Sequence, residues 1–196
     1  MGFKGFLVIY RYFYEKDYSP FSDSGKNGLN HLRVQSLYYL LYRFGMDINL
    51  GDCSHGYTWS INKPHSNRLE ADLCCIDAQR DEIKVFYRDE YSDEGLKTYL
   101  HSAVIEKLDL FKKIFFNKDV EKLLDKAKHS KGGWVTLLAS IAFIKNCQMP
   151  YAELSKINKE IRRRGILWSD DKLNGEALAL LQTVGIVMYN QSCLPC

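Results

Sequence analysis

The sequence predicts a mainly α fold with short β-strands, and two observations lead to that prediction. Apolar residues recur at three- and four-residue steps through most of the chain, the spacing that places them on one face of a helix. Only short stretches, such as YTWSI at residues 57–61, carry the β-branched and aromatic content typical of strands. The composition, 46% hydrophobic and 26% charged, is that of a globular protein able to bury a core.

The first predicted helix runs from Phe3 to Tyr14, and a polar loop follows it at residues 17–28. The next helix has one apolar face and ends at Gly45. That face consists of Leu29, Leu32, Leu37, Leu40, Leu41 and Phe44.

A short strand, a turn and a capped helix come next. We expect Pro64 to stop the strand in YTWSI and Ser66 to cap a helix. The inward face of that helix carries Leu69, Leu73 and Ile76. The ring of Trp59 is expected to pack on the face made by Leu37, Leu40 and Leu41. Helix, strand, turn and capped helix form the centre of a helix-turn-helix-like unit.

An acidic β-hairpin arm is predicted at residues 81–95, because Ile83, Val85 and Tyr87 alternate between charged clusters. From Asp77 to Glu94, seven acids face three bases, a net charge of −4. Such an arm would be repelled by DNA phosphates. It is either a solvated acidic face or a surface for a basic protein partner. The candidate partner-binding residues are Asp89, Glu90, Asp93 and Glu94.

Residues 96–131 are predicted to form a helical linker with a break at Asn117–Lys118. A buried helix follows from Trp134 to Cys147, and Pro150 is expected to begin the next one, which ends at Gly165. Ser169 should start the last helix, and an apolar strand should run from Ile186 to Tyr189. We therefore predict two winged-helix-like modules, residues 1–95 and 132–196, joined by the linker.

Charge is distributed unevenly between the halves. Residues 1–98 carry a net charge of −2 and residues 99–196 a net charge of +5. The candidate nucleic-acid-binding cluster, at the end of a predicted helix, consists of Lys159, Arg162, Arg163 and Arg164. Cations there also complement the helix dipole, so phosphate binding and a structural role are both open.

Motifs of common enzyme classes, such as the P-loop, Gly-x-Ser-x-Gly and His-Glu-x-x-His, do not occur in the sequence. The six cysteines have poor spacing for a disulfide framework. Weak candidates for zinc ligands are Cys193 and Cys196, three residues apart, and Cys74 and Cys75, which with His55 or His65 would complete four ligands in space. We predict no catalytic residues, no metal site and no cofactor.

A family resemblance rests on Tyr57, Trp59, Pro64, Ser66 and Leu69, followed by Asp72. This run resembles the signature of small bacterial and archaeal winged-helix proteins, the YwgA-like and Panacea (SocA-like antitoxin) group. Trp59, Pro64, Ser66 and Leu69 are the structural signature residues. Two later runs, WVTLLASIAFIKN and SDDKLNGEALALLQTVGIV, resemble the C-terminal half of YwgA-like proteins. The resemblance implies toxin neutralisation, regulation or phage defence in bacteria.

The predicted function is that of a non-catalytic accessory or adaptor protein. Its protein partners would be an ATPase, a nuclease or a toxin in a nucleic-acid-associated system. The first alternative is a DNA-binding transcriptional regulator or antitoxin that uses the basic C-terminal module. A lower-ranked alternative is the small middle subunit of a three-component defence ATPase. No apolar run is long enough for a membrane helix, and no secretory signal is recognisable, so we expect no membrane association and a cytoplasmic location.

Overall fold

The computed structural model describes residues 9, 31–46, 57–60, 63–78, 101–127, 131–166 and 169–188. Within them the chain forms seven α-helices and one two-stranded antiparallel sheet, which confirms the prediction of a mainly α fold with short strands. The elements are α1 (His31–Arg43), β1 (Thr58–Ser60), β2 (Lys63–His65), α2 (Asn67–Ala78), α3 (Ser102–Phe115), α4 (Lys118–Ala127), α5 (Lys131–Phe143), α6 (Leu154–Arg163) and α7 (Asp171–Thr183). No helix in this part of the chain has both the length and the apolar composition needed to cross a bilayer.

Several predictions fall on other parts of the chain. Of the first predicted helix, only Ile9 is described, and it is helical and fully buried. The acidic arm lies outside the described residues. So do Asp89, Glu90, Asp93, Glu94, Cys53, His55, His129, Cys193 and Cys196.

The end of α1 follows the prediction. Gly45 has a φ of +79°, a conformation that glycine adopts without the strain a side chain would bring. Its N–H donates to the carbonyl of Tyr42, and the N–H of Met46 donates to the carbonyl of Leu41. These two bonds form a Schellman motif, which satisfies the last carbonyls of the helix.

Burial of α1 differs from the prediction of a single buried side. Residues 34–41 are all buried, including Gln35 and Ser36, whereas Leu32 is 39% exposed. The reason is tertiary: α1 is covered by α5, by the hairpin and by α2. Because three elements surround it, polar positions between the apolar ones are also removed from water.

The hairpin corrects the predicted role of Pro64. Instead of stopping a strand, Pro64 lies within β2 and is paired with Trp59 of β1. A two-stranded sheet has only edge strands, so a residue without an N–H is tolerated there. The predicted cap is confirmed, because the hydroxyl of Ser66 accepts a hydrogen bond from the N–H of Leu69 at 3.4 Å. Leu69 and Leu73 are fully buried, as predicted.

The predicted break in the linker is confirmed within one residue. Helix α3 ends at Phe115, and α4 begins at Lys118, directly after Asn117. The Asn117 side-chain oxygen accepts hydrogen bonds from the N–H groups of Asp119 and Val120 at 3.0 and 2.9 Å. This is an N-cap, so the break is built into the sequence.

Helix α5 is buried nearly all round, as predicted, and continues into a π-helical turn, Ile144–Gln148. Trp134 is 1% exposed, and its indole N–H donates to the carbonyl of Phe115 at 2.9 Å. Both α1 and α7 pack against α5. The helix therefore lies at the centre of the core.

Two helix starts lie further along the chain than predicted. Pro150 lies in a turn, and α6 begins only at Leu154. The cap of α7 is Asp170 and not Ser169, because the Asp170 carboxylate accepts the N–H of Leu173 at 2.7 Å. A charged acceptor makes the stronger bond.

The predicted C-terminal strand is wrong over its described residues, since 186–188 form no strand. The N–H groups of Ile186 and Val187 both donate to the carbonyl of Leu181 at the end of α7. The carbonyl of Ile186 accepts from the side chain of Asn146. The N–H groups and the carbonyl that a strand would need for pairing are therefore already hydrogen-bonded at the end of α7.

Candidate functional site

A group of polar side chains joins α1 to α2, and we call it the α1–α2 polar cluster. Helix α1 contributes two residues one turn apart, and α2 contributes two more at the same spacing, so each pair shares one helix face. A fifth residue comes from the end of β2. The members are His31, Gln35, His65, Glu70 and Cys74.

Gln35 is the buried centre of the cluster. Its side chain is 0% exposed, and its oxygen accepts the N–H of Ser66 at 3.0 Å. Its amide nitrogen donates to the carbonyl of Ser66 at 3.0 Å and to Glu70 Oε2 at 3.1 Å. An amide that donates twice and accepts once here holds both the start of α2 and the Glu70 carboxylate in place.

His31 and Glu70 make the shortest contact in the cluster. His31 Nδ1 lies 2.6 Å from Glu70 Oε1, and the two side chains are 20% and 33% exposed. A bond of this length is typical of a charge-assisted hydrogen bond. Because Gln35 binds the other oxygen of Glu70, the carboxylate is held on both sides.

His65 presents a nitrogen without a hydrogen bond among the described residues. Its Nε2 lies 3.1 Å from Asn67 Oδ1, which can only accept, so Nε2 carries a proton. In the neutral ring Nδ1 is then the lone-pair nitrogen. Nδ1 is buried and lies 3.9 Å from Glu70 Oε2, too far for a hydrogen bond. In the neutral ring, two lone-pair atoms therefore face each other.

Cys74 lies next to this group. The ligand atoms of His31, Glu70 and Cys74 all lie within 4.8 Å of one another. Cys74 is exposed, and so is its neighbour Cys75, which does not belong to the group. The sequence pointed to Cys74 and His65 as weak candidate ligands but missed His31 and Glu70. The signal that it offered was the four-residue spacing of polar residues on two helices.

The basic cluster at the end of α6 has a different character, because its arginines are engaged by acids. Arg162 pairs with Asp171 at the start of α7. Arg163 Nε and its terminal nitrogen donate to the two oxygens of Glu160 at 2.8 and 2.7 Å. Arg164 also donates to Glu160. Lys159 is exposed and makes no ion pair with any described residue.

Arg164 is turned inward, although the sequence assigns it to the candidate nucleic-acid-binding cluster. Its side chain is 10% exposed and donates to Gln148 at 2.7 Å. Its guanidinium lies 4.0 Å from the centroid of the Trp59 ring. This cation–π contact makes Arg164 part of the packing around the hairpin.

These contacts lower the pKa of Glu160. Its hydrogen bond with Arg163 is the main cause, and Arg164 adds to it, so the pKa of Glu160 falls from its ordinary 4.5 to about 2, although burial opposes the change. The carboxylate stays charged and compensates both arginines.

The signature residues come together in space. Trp59 and Pro64 are cross-strand partners, and Ser66 and Leu69 begin the helix that follows. Trp59 is half-buried against the core, and its ring centroid lies 5.6 Å from that of Phe143. The aromatic and cation–π partners of the Trp59 ring are Phe143 and Arg164, and its packing on Leu37, Leu40 and Leu41 stays a prediction.

An aromatic side chain projects from the turn before α6. Tyr151 is 84% exposed. The turn is held from beneath by Lys145, which is 2% exposed and donates to the carbonyls of Pro150 at 2.6 Å and Ala152 at 3.2 Å. Burial lowers the pKa of Lys145. The backbone on both sides of Tyr151 is therefore anchored to the core.

Comparisons of the chain with protein-family models, with curated proteins and with solved structures found no match.

Proposed function

We propose that this protein is a non-catalytic accessory or adaptor protein that binds a protein partner in a bacterial nucleic-acid-associated system. The observation that carries the proposal is the display of Tyr151, 84% exposed on a turn that buried Lys145 anchors. Exposed aromatic residues on rigid backbone lose little entropy on binding and are typical anchors of protein interfaces.

The pairing of the basic cluster favours a protein partner over DNA. Phosphate binding by Arg162, Arg163 or Arg164 would compete with the carboxylates of Asp171 and Glu160. Each phosphate contact would then contribute less binding free energy than a contact with an unpaired cation, and fewer counterions would be displaced from the DNA. Arg164 is further committed to the ring of Trp59.

The winged-helix-like architecture is part of the proposal. Its support is the succession of α1, the β1–β2 hairpin and the capped helix α2, together with the sequence resemblance to YwgA-like and Panacea proteins. That resemblance also supports toxin neutralisation, regulation or phage defence as the setting. A partner-binding role for Asp89, Glu90, Asp93 and Glu94 stays a prediction.

The experiment identifies the partner and then tests Tyr151. The tagged protein is recovered from its host at native expression level, and a co-purifying protein is identified and prepared pure. We expect Tyr151→Ser to weaken binding of that protein by about 30-fold or more, the loss of a strong interface anchor. The matched control is Ser155→Ala at an exposed position four residues further along the chain, which should change the Kd less than twofold.

DNA binding is measured in parallel at physiological salt. We expect weak or absent binding of duplex DNA by the wild type. A sequence-selective nanomolar complex that the triple variant Arg162→Ala, Arg163→Ala, Arg164→Ala abolishes would overturn the proposal in favour of a DNA-binding regulator. An unchanged Kd for Tyr151→Ser would show that the partner binds elsewhere.

A further inference from the structure

We propose that the α1–α2 polar cluster binds one transition-metal ion of the zinc class. The ligands are His31 Nδ1, His65 Nδ1, a Glu70 oxygen and Cys74 Sγ. Such an ion would join α1, the end of β2 and α2 at one point. The site is independent of the interface proposed around Tyr151, because it lies on different elements.

The distances among three of the four ligands fit a tetrahedral ion, and the His65 ring, which lies outside that group of three, would move closer when the ion binds. The ligand atoms of His31, Glu70 and Cys74 lie within 4.8 Å of one another. Tetrahedral zinc places nitrogen, oxygen and sulfur ligands about 3.3–3.7 Å apart, given bond lengths of about 2.0–2.3 Å. His31 Nδ1 and Glu70 Oε1, now 2.6 Å apart, would separate by under about 1 Å to admit the ion. A rotation of the glutamate side chain provides that movement.

His65 supplies the observation that most directly points to a cation. Its Nδ1 is buried, has no hydrogen-bond donor among the described residues and faces Glu70 Oε2 at 3.9 Å. An imidazole lone pair opposite a carboxylate oxygen is unfavourable when nothing positive lies between them. Asn67 holds the ring in the tautomer that leaves this nitrogen available to a metal.

Gln35 provides the support that metal sites characteristically have around their ligands. It is fully buried and donates to Glu70 Oε2, while two further bonds lock it to the backbone of Ser66. Outer hydrogen bonds of this kind orient a ligating carboxylate. Gln35 is therefore a positioning residue, and the site is largely formed before an ion arrives.

The ligand chemistry selects the class of ion. A thiolate and two imidazoles suit zinc and its neighbours, whereas magnesium and calcium prefer oxygen ligands alone. On binding, the Cys74 thiol releases its proton to solvent and the sulfur binds the ion. The proton between His31 Nδ1 and Glu70 moves through water to His31 Nε2, so the net release is one proton.

The experiment begins with the full chain, stripped of metal by chelator and then given zinc or cobalt alone. We expect one equivalent of zinc to be retained after dialysis. The cobalt form should show a sulfur-to-metal charge-transfer band with the intense visible absorption of four-coordinate cobalt.

The matched variants are Cys74→Ser and Cys75→Ser, adjacent exposed cysteines on one helix. Cys74→Ser should remove the charge-transfer band and weaken zinc binding by more than about tenfold, the lower end of the loss caused by outer-shell changes. Cys75→Ser should bind zinc as the wild type does. His65→Phe should keep the charge-transfer band, because Cys74 is unchanged, and should weaken zinc binding by more than about tenfold.

A measurement on the wild type guards against variants that fail to fold. Zinc should slow the alkylation of Cys74 by iodoacetamide and leave Cys75 unaffected, as read by peptide mass mapping. Absence of retained zinc, a cobalt form without the charge-transfer band, or equal protection of both cysteines would overturn the proposal.

Discussion

The α1–α2 polar cluster and the basic cluster at the end of α6 are both networks of charged and polar side chains, but water reaches them differently. Gln35 is 0% exposed, whereas Arg162 and Asp171 are 53% and 61% exposed. A buried polar group without a hydrogen-bond partner destabilises the folded state. An exposed ion pair can replace its mutual contact by contacts with water at little cost. We therefore expect the first network to determine structure and the outer pair of the second, Arg162 and Asp171, to adjust surface charge.

The largest effect should come from the centre of the buried network. Gln35→Ala leaves the N–H of Ser66 without its partner, removes one of the two hydrogen bonds to the Ser66 carbonyl and opens a cavity, so we expect a loss of about 3–4 kcal/mol in the free energy of unfolding. Urea denaturation measures it. Lys113→Ala, at an exposed position on α3, is the control and should change stability by less than about 0.5 kcal/mol. A loss below ~1 kcal/mol for Gln35→Ala would break the distinction between the two networks.

Trp59 connects the hairpin to the basic cluster and should have the second largest effect. Full burial would predict a cost of about 3–5 kcal/mol for Trp59→Ala, but the ring is only half-buried, so we expect about 2–3 kcal/mol. A double-mutant cycle with Arg164→Ala should give a coupling of about 0.5–2 kcal/mol from the cation–π contact. A coupling energy of zero would mean that Arg164 does not contribute to the packing of the hairpin.

Glu160 should contribute less, and in a pH-dependent way. Its pKa of about 2 in the folded protein lies below the ordinary 4.5, so its stabilising effect is complete above pH 4.5 and is lost as the pH falls towards 2. We expect Glu160→Gln to cost about 1–2 kcal/mol at pH 7, since one of its partners, Arg163, is 70% exposed and the other, Arg164, is 10% exposed. The difference between the two proteins should shrink in acid. Thermal melts from pH 7 to pH 2.5 test this, and a constant difference would contradict it.

The smallest effect should come from the exposed pair. Arg162→Ala should lower stability by less than about 1 kcal/mol, because both members are more than half exposed. The loss should shrink further as salt is added. Denaturation at low and high ionic strength measures both. A salt-independent loss above ~2 kcal/mol would mean that the two clusters do not differ as proposed.

Local sequence signals predicted much of the fold. Gly45 and Gly165 end helices with φ values of +79° and +78°, and Asn117 marks the break between α3 and α4. These predictions held because each depends on a few adjacent residues. Pro64 and Ile186 were misjudged, because strand pairing and backbone hydrogen bonds with distant residues decided their structure.

The candidate sites were less predictable than the helices. The four-residue spacings of His31 with Gln35 and of Glu70 with Cys74 are visible in the sequence, but polar residues at such spacing occur on any solvated helix. Likewise, Arg162, Arg163 and Arg164 look like a basic patch until their partners are known. The acid that pairs with Arg162 is Asp171, at the start of the next helix. The sequence does not predict the conformation of the residues between them, so this pair could not be foreseen.

The sequence by itself determined the helical class, most helix ends and the apolar residues that form the core, because hydrophobic periodicity and capping act over a few residues. Only the tertiary structure decided that Gln35 is buried, that His31 and His65 meet Glu70, and that Arg164 stacks on Trp59. Gln35 and Ser66 are 31 positions apart, His31 and Glu70 are 39 apart, and Trp59 and Arg164 are 105 apart, whereas His65 and Glu70 are 5 apart. Packing of the helices against α5 sets which faces meet, and no local pattern encodes that choice.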